Sequence, residues 1–133
     1  MQLTRYRNNP ILSPKSSNNW ESFAVCNPGA WHENGKVHLL YRASGHDKAH
    51  RIHFGLAVSG NGFDFRRVSD RPVISPSIDG QDGGCIEDPR IIKMDGLYLV
   101  TYAFRPFPPG QYWKKRNFAP EMPFHSHKNL PKF

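Results

Sequence analysis

The feature that most constrains this chain is that it repeats itself. Pro10-Ile-Leu-Ser-Pro14 returns as Pro72-Val-Ile-Ser-Pro76 at an offset of 62 residues, and Asn27-Pro28 returns as Asp88-Pro89 at an offset of 61. From there Asn34-Gly35 falls on Asp95-Gly96, and Tyr41 on Tyr102, without a gap. Agreement at so many turn-forming positions marks a duplicated supersecondary unit, which buries its faces by packing against its own neighbours.

The contents of the unit are read from its local patterns. Asn34-Gly35 is a two-residue hairpin signal, joining a short strand near Ala30 to His32 with a strand over Lys36 to Ala43. Ile52, Phe54, Leu56 and Val58 alternate with His53, Gly55, Ala57 and Ser59, the period of two expected when one face of a strand is buried. Gly60-Asn61-Gly62 then turns the chain into a fourth strand over Phe63 to Val68. A four-stranded meander recurring at this interval fits the blade of a β-propeller. In the second copy, strands are expected over Asp88 to Met94 and Leu97 to Phe104, and a proline-rich stretch begins where the third strand is due. The fold class expected is therefore all-β: propeller blades over residues 1–104, about one and a half of them, and a basic, irregular segment over residues 105–133 that reads as an insertion between strands, cut short. One and a half blades leave sheet edges open, so a homo-oligomer is allowed.

Composition narrows the function classes. The net charge is +7, but residues 1–104 carry twelve Lys/Arg against ten Asp/Glu, while residues 105–133 carry six against one and hold six of the twelve prolines. A nucleic-acid partner would have to rely on that last segment, through Lys114-Lys115-Arg116 with Tyr112, Trp113 and Phe118, so none is expected. No run of eighteen apolar residues argues for a membrane span, and the basic opening residues have no apolar run behind them, so a cytoplasmic location without membrane contact is expected. Cys26 and Cys85 are too few for a disulfide framework and lack zinc-site spacing; they read as reduced thiols. His46, His50 and His53 occupy a loop and a strand without helical i, i+4 pairing, so no metal is expected there. Trp31, Tyr41 and Tyr102 could stack on the flat face of a ligand, although strand aromatics more often belong to a core.

One ordered set of motifs goes further: Asn27-Pro28-Gly29-Ala30, Tyr41-Arg42-Ala43, Gly55-Leu56-Ala57 and Glu87-Asp88-Pro89-Arg90. In that order, from about Asn9 to Tyr102, they resemble glycoside hydrolase family 130. The resemblance implies a five-bladed β-propeller that cleaves β-mannosidic bonds of manno-oligosaccharides with inversion. Cleavage is by phosphorolysis, giving mannose 1-phosphate, or by hydrolysis. It implies no cofactor, with inorganic phosphate as a co-substrate in the first case. Carried over by position, it makes Asp88 the catalytic general acid and Asn27 and Arg42 sugar-binding residues, with Arg90 a further substrate contact or a structural ion-pair partner. In the family's phosphorylases the acid acts through a hydroxyl of the mannose while phosphate attacks the anomeric carbon from the opposite face. Ile86 interrupts the family's commoner Gly-Cys-Glu-Asp-Pro-Arg run and is expected to shift a loop before Asp88.

The chemistry stands by itself as well, since glycosidic cleavage needs a proton donor at the leaving oxygen and a nucleophile or base across the ring. Asp88 can supply the first; the second is expected from blades outside this sequence. Without the resemblance, Asp88-Pro89 reads as a turn that opens a strand. Glu87, the adjacent carboxylate, is expected to raise the Asp88 pKa, weakly if the two side chains lie on opposite faces of a strand. The internal repeat places Asn27 and Asp88 at equivalent positions, hence at the same end of the sheets. The alternative to an enzyme is a non-catalytic carbohydrate-binding propeller fragment that keeps Asn27 and Arg42.

Overall fold

The structure is a computed structural model and describes residues 2–47, 49–77 and 84–105. The basic segment expected over residues 105–133 lies, apart from Arg105, outside the described residues. Among the described residues there are six strands, β1 (Ala24–Glu33), β2 (Lys36–Ser44), β3 (Ile52–Ser59), β4 (Arg66–Arg67), β5 (Cys85–Met94) and β6 (Leu97–Arg105), with one 3-10 turn at Asn19–Glu21. They form a four-stranded antiparallel sheet in the order β1-β2-β3-β4 and a two-stranded sheet of β5 and β6. The described residues are all-β apart from that turn, as expected.

Both hairpins turn where their residues require it. Asn34 and Gly35 have φ of 50° and 70°, and Asp95 and Gly96 have φ of 51° and 78°. Two successive residues with positive φ match the right-handed twist of the flanking strands, and Asn-Gly and Asp-Gly tolerate that conformation best. Glu33 accordingly pairs with Lys36, and Met94 with Leu97.

The strands differ from expectation in their bounds and in their burial; β5, for one, begins at Cys85 rather than Asp88. β1 begins at Ala24 rather than near Ala30, because Ala24, Val25 and Cys26 continue the ladder to Ser44, Ala43 and Arg42 beyond an irregularity at residues 27 and 28. The fourth strand shrinks to Arg66–Arg67, held by pairing with Ala57 and Val58. The alternation read in β3 holds for Ile52 and Phe54, which are buried, but Ala57 and Ser59 are buried too, while Leu56 and Val58 are only half-buried. A sheet covered on both faces does not give a strand one wet and one dry side.

That double coverage defines two cores. On one face Leu40, Phe54 and Ile86 pack together with Trp31, Ile91 and Val100 against them, which joins the two sheets. Full burial of a side chain such as Phe54 contributes about 2 kcal/mol. On the other face Tyr41, Ala43 and Ala57 pack with Leu12, Trp20, Val25 and Phe65. Ile86 sits within β5, opposite Phe104, fully buried, while residues 78–83 ahead of it lie outside the described residues.

A buried carboxylate ties the leading segment to the second face. Glu21 is 0% exposed, and it accepts hydrogen bonds from Asn18 Nδ2 (2.6 Å), Tyr41 Oη (3.0 Å) and Arg67 Nε (2.8 Å). Such a group is tolerable only because it is paired and its lone pairs are used. The consequence for the functional end of the sheets lies at Gly29. A Cβ there would stand 2.8 Å from the Pro89 carbonyl oxygen, so the lack of a side chain lets β1 and β5 approach closely just past residues 27 and 88.

Candidate active site

The repeat places one irregularity in each hairpin. The β1–β2 register shifts between Cys26 and Gly29, and the β5–β6 register shifts between Glu87 and Arg90. At these bulges Asn27 and Asp88 adopt φ of 44° and 52°, a left-handed conformation that Asn and Asp accept more readily than other side-chain-bearing residues. A bulge re-aims a side chain away from the period of two. Here it turns both residues toward one another, and Asn27 Nδ2 donates to Asp88 Oδ1 at 2.8 Å.

Arg42 completes the group. It lies on β2 opposite Cys26, beside the first bulge, and its Nη1 donates to the same Asp88 Oδ1 at 3.1 Å. Asn27, Arg42 and Asp88 are thus brought together, with the Asp88 side chain 41% exposed. Arg90 is not directed at that carboxylate. It is exposed, and its Nη1 donates to the backbone carbonyls of Asp88 (3.3 Å) and Pro89 (3.1 Å), bracing the bulge that aims Asp88.

Sequence reasoning missed the second carboxylate's partner. Alternation assigns Glu87 and Asp88 to opposite faces, but the bulge lets one guanidinium reach both. Arg42 Nη1 lies 3.3 Å from Glu87 Oε2, and Arg105 Nε lies 3.4 Å from Glu87 Oε1. Glu87 is buried and also accepts from the Cys85 thiol at 3.2 Å. The signal available in the sequence was the arginine closing β6, which a paired buried carboxylate requires.

The Asp88 carboxyl is held below its ordinary value, chiefly by the hydrogen bond from Asn27; partial burial opposes this, and Arg42 and then Arg90 add to it. Glu87 is not among the leading influences on Asp88; its own carboxylate is paired with Arg42 and Arg105. Asp88 is therefore ionised at neutral pH in the free chain. The Cys85 thiol is pushed up to about 12, by burial first and then by Glu87.

The other sequence candidates are placed differently. Tyr41 is a core residue bonded to Glu21. Trp31 stacks on His38 with ring centroids 4.7 Å apart, and Tyr102 meets Phe54 edge-on at 5.9 Å. His50 Nδ1 faces the Gly45 carbonyl, and His53 Nδ1 faces Ser75 Oγ. Among the described residues no group of three or more His, Cys, Asp or Glu is placed to hold a metal, and no helix is long and apolar enough to cross a membrane.

Comparison with known proteins adds what geometry alone does not. Residues 2–130 match the family model Glyco_hydro_130, described as β-1,4-mannooligosaccharide phosphorylase. A 1,2-β-oligomannan phosphorylase from Thermoanaerobacter sp. (strain X514) is 41% identical over 107 residues, 77% of this chain and 36% of that protein. A β-1,2-mannobiose phosphorylase from the same organism is 39% identical over 112 residues, again 36% of its length. One similar solved structure is described under the GH130 family of mannoside phosphorylases, which contains glycoside hydrolases that target β-1,2 mannosidic linkages in Candida mannan. It aligns with a TM-score of 0.67 at 33% identity over 76% of this chain and 34% of that one. A glycosyl hydrolase from Bacteroides ovatus aligns with a TM-score of 0.63 at 35% identity over 74% of this chain and 33% of that one. The chain spans about a third of the length of these relatives.

Proposed function

Because the chain belongs to glycoside hydrolase family 130, the β-1,4-mannooligosaccharide phosphorylase family, we propose that Asn27, Arg42 and Asp88 form the sugar-cleaving side of an inverting β-mannoside phosphorylase. The observation that carries this reading is the convergence of Asn27 and Arg42 on one oxygen of Asp88. In this reading the two bulged hairpins open a five-bladed propeller, with residues 1–104 in its blades and 105–133 inserted between strands. No resident cofactor is needed; inorganic phosphate is a co-substrate, attacking from the ring face opposite Asp88. The groups that hold it belong, in this proposal, to the two thirds of the relatives' length that the chain does not span.

The resting site is not yet an acid. With Asn27 and Arg42 both bonded to Oδ1, Asp88 carries a negative charge. A mannosyl unit that takes over those two donors with its hydroxyl groups, and excludes water, would raise the Asp88 pKa and let it hold the proton for the leaving oxygen. Arg90 serves here by keeping the Asp88 backbone in its bulge, and its contact with substrate is secondary. The linkage proposed is β-1,2, the one named for the two Thermoanaerobacter phosphorylases that this chain is similar to.

The test incubates the protein with β-1,2-mannobiose, with and without phosphate, and measures mannose 1-phosphate and mannose. Phosphate-dependent mannose 1-phosphate, lost in Asp88→Asn, is the expected result. Mannose released equally without phosphate would make the enzyme a hydrolase. Mannobiose binding without turnover would favour a carbohydrate-binding module, and absence of binding would overturn the reading.

A further inference from the structure

The Arg42 guanidinium stands between two carboxylates that do different things. Asp88 is part-exposed and forms the site; Glu87 is buried behind it, its side chain 8% exposed, and reaches Arg42 with one oxygen and Arg105 with the other. Cys85 donates its thiol hydrogen to the same carboxylate, so a carboxylate, two guanidiniums and a thiol are packed at one end of β5 and β6. A long side chain such as Arg42 loses rotamer freedom whenever it is held in one geometry, and a single hydrogen bond to a part-exposed aspartate holds it weakly. A second, buried anchor changes that.

From this geometry we infer that Glu87 is a positioning residue, which fixes the Arg42 guanidinium in the orientation that delivers Nη1 to Asp88 Oδ1. Its role in the reaction rests on the sugar-cleaving reading above, but its effect on Arg42 and Asp88 is a property of the free chain. Arg105 balances the Glu87 charge from the far side, and the Cys85 thiol satisfies a remaining lone pair. The charged group bonded to Asp88 is then Arg42 from β2, with Arg90 of its own strand acting only through space and Glu87 acting through Arg42. The bulge makes this possible: without the shift between Glu87 and Arg90, neighbouring carboxylates would point to opposite faces and could not share one arginine.

Two substitutions separate position from charge. Glu87→Gln keeps the reach and removes the charge, while Glu87→Asp keeps the charge and shortens the reach by one methylene. If Glu87 acted only as a nearby negative charge, removing it would lower the Asp88 pKa further, and Glu87→Asp would resemble the wild type. If it positions Arg42, both variants loosen the guanidinium, Asp88 loses one of its donors, and its pKa rises toward the ordinary value in both.

The experiment follows the Arg42 guanidinium resonances and the Asp88 carboxyl titration by NMR in wild type, Glu87→Gln and Glu87→Asp. Leu39→Val, on the opposite face of β2, controls for general loosening of the sheet. The expected result is resolved Arg42 Nη signals in the wild type and in Leu39→Val that average in both Glu87 variants, with the Asp88 midpoint moving up in both. A downward midpoint in Glu87→Gln, or wild-type behaviour of Glu87→Asp, would overturn the proposal. β-1,2-Mannobiose binding by the same proteins, expected to weaken about tenfold in the Glu87 variants, tests the other reading separately. A wild type that binds no mannobiose counts against the sugar site, while the Arg42 signals still decide the role of Glu87.

Discussion

Asn27 and Asp88 stand 61 residues apart, occupy equivalent bulges of the β1–β2 and β5–β6 hairpins, and meet through one 2.8 Å hydrogen bond from amide to carboxylate. That bond is the largest influence holding the Asp88 pKa down.

Substituting Asn27 therefore has two separable effects. Asn27→Ala removes the donor and places a Cβ residue without a compensating side chain at φ of 44°, with an expected cost of about 1–2 kcal/mol. Asn27→Gly removes the donor but relieves the backbone. Both should raise the Asp88 titration midpoint, while chemical denaturation should find only Asn27→Ala clearly destabilised. A midpoint that stays at the wild-type position in both would show that the bond has no such influence.

The same shift sets a pH dependence of stability. A carboxyl whose folded pKa lies below its unfolded value stabilises the fold above the unfolded value, near 3.8 for aspartate. It loses that contribution as pH falls through the folded value. The melting temperature of the wild type should exceed that of Asp88→Asn at neutral pH, and the difference should shrink as the solution is acidified below the ordinary carboxylate range. Partial exposure of the pair keeps the effect modest. A difference that grows on acidification would contradict the sign.

Glu21 offers a larger stability effect away from the site. Glu21→Ala would leave Arg67 and the Tyr41 hydroxyl without their buried partner, at an expected cost of about 3–5 kcal/mol. Urea unfolding measures this directly. The loss should exceed that of Lys15→Ala, whose bond to Asp70 is exposed.

The two cysteines should differ in reactivity. Cys26 is exposed, whereas Cys85 is buried with its thiol pKa pushed up to about 12. Only the thiolate is an effective nucleophile, so brief alkylation of the folded protein at neutral pH should add one label, at Cys26, by intact mass and peptide mapping. Equal labelling of both would show that Cys85 is open to solvent.

Much of this architecture was legible because it depends on short-range chemistry. Asn34-Gly35 and Asp95-Gly96 announce their turns through the backbone angles they permit, and the offset between Asn27 and Asp88 announces that two hairpins share one plan. The bulges themselves were not legible. Nothing in Cys26-Asn27-Pro28 or Glu87-Asp88-Pro89 distinguishes an extended strand from one with an extra residue, so the early start of β1 and the shared arginine of Glu87 and Asp88 both escaped a reading based on strict alternation. The half-burial of Leu56 and Val58 escaped it too, since coverage of a second face depends on residues distant in sequence. Arg90 shows the reverse case: a charged residue in a distinctive motif whose guanidinium serves its own backbone.

The twin bulges carry an implication for how such a site can arise. Duplication of one hairpin delivers the same backbone address twice, and two identical side chains facing one another there would gain little: paired carboxylates repel, and paired amides leave no charge to work with. Asparagine and aspartate have nearly the same shape and tolerate the same left-handed backbone, so one exchange of NH2 for oxygen turns a symmetric pair into a donor and an anion. The asymmetry that chemistry requires is thus obtained from a symmetric scaffold by altering a single group, with no change of fold.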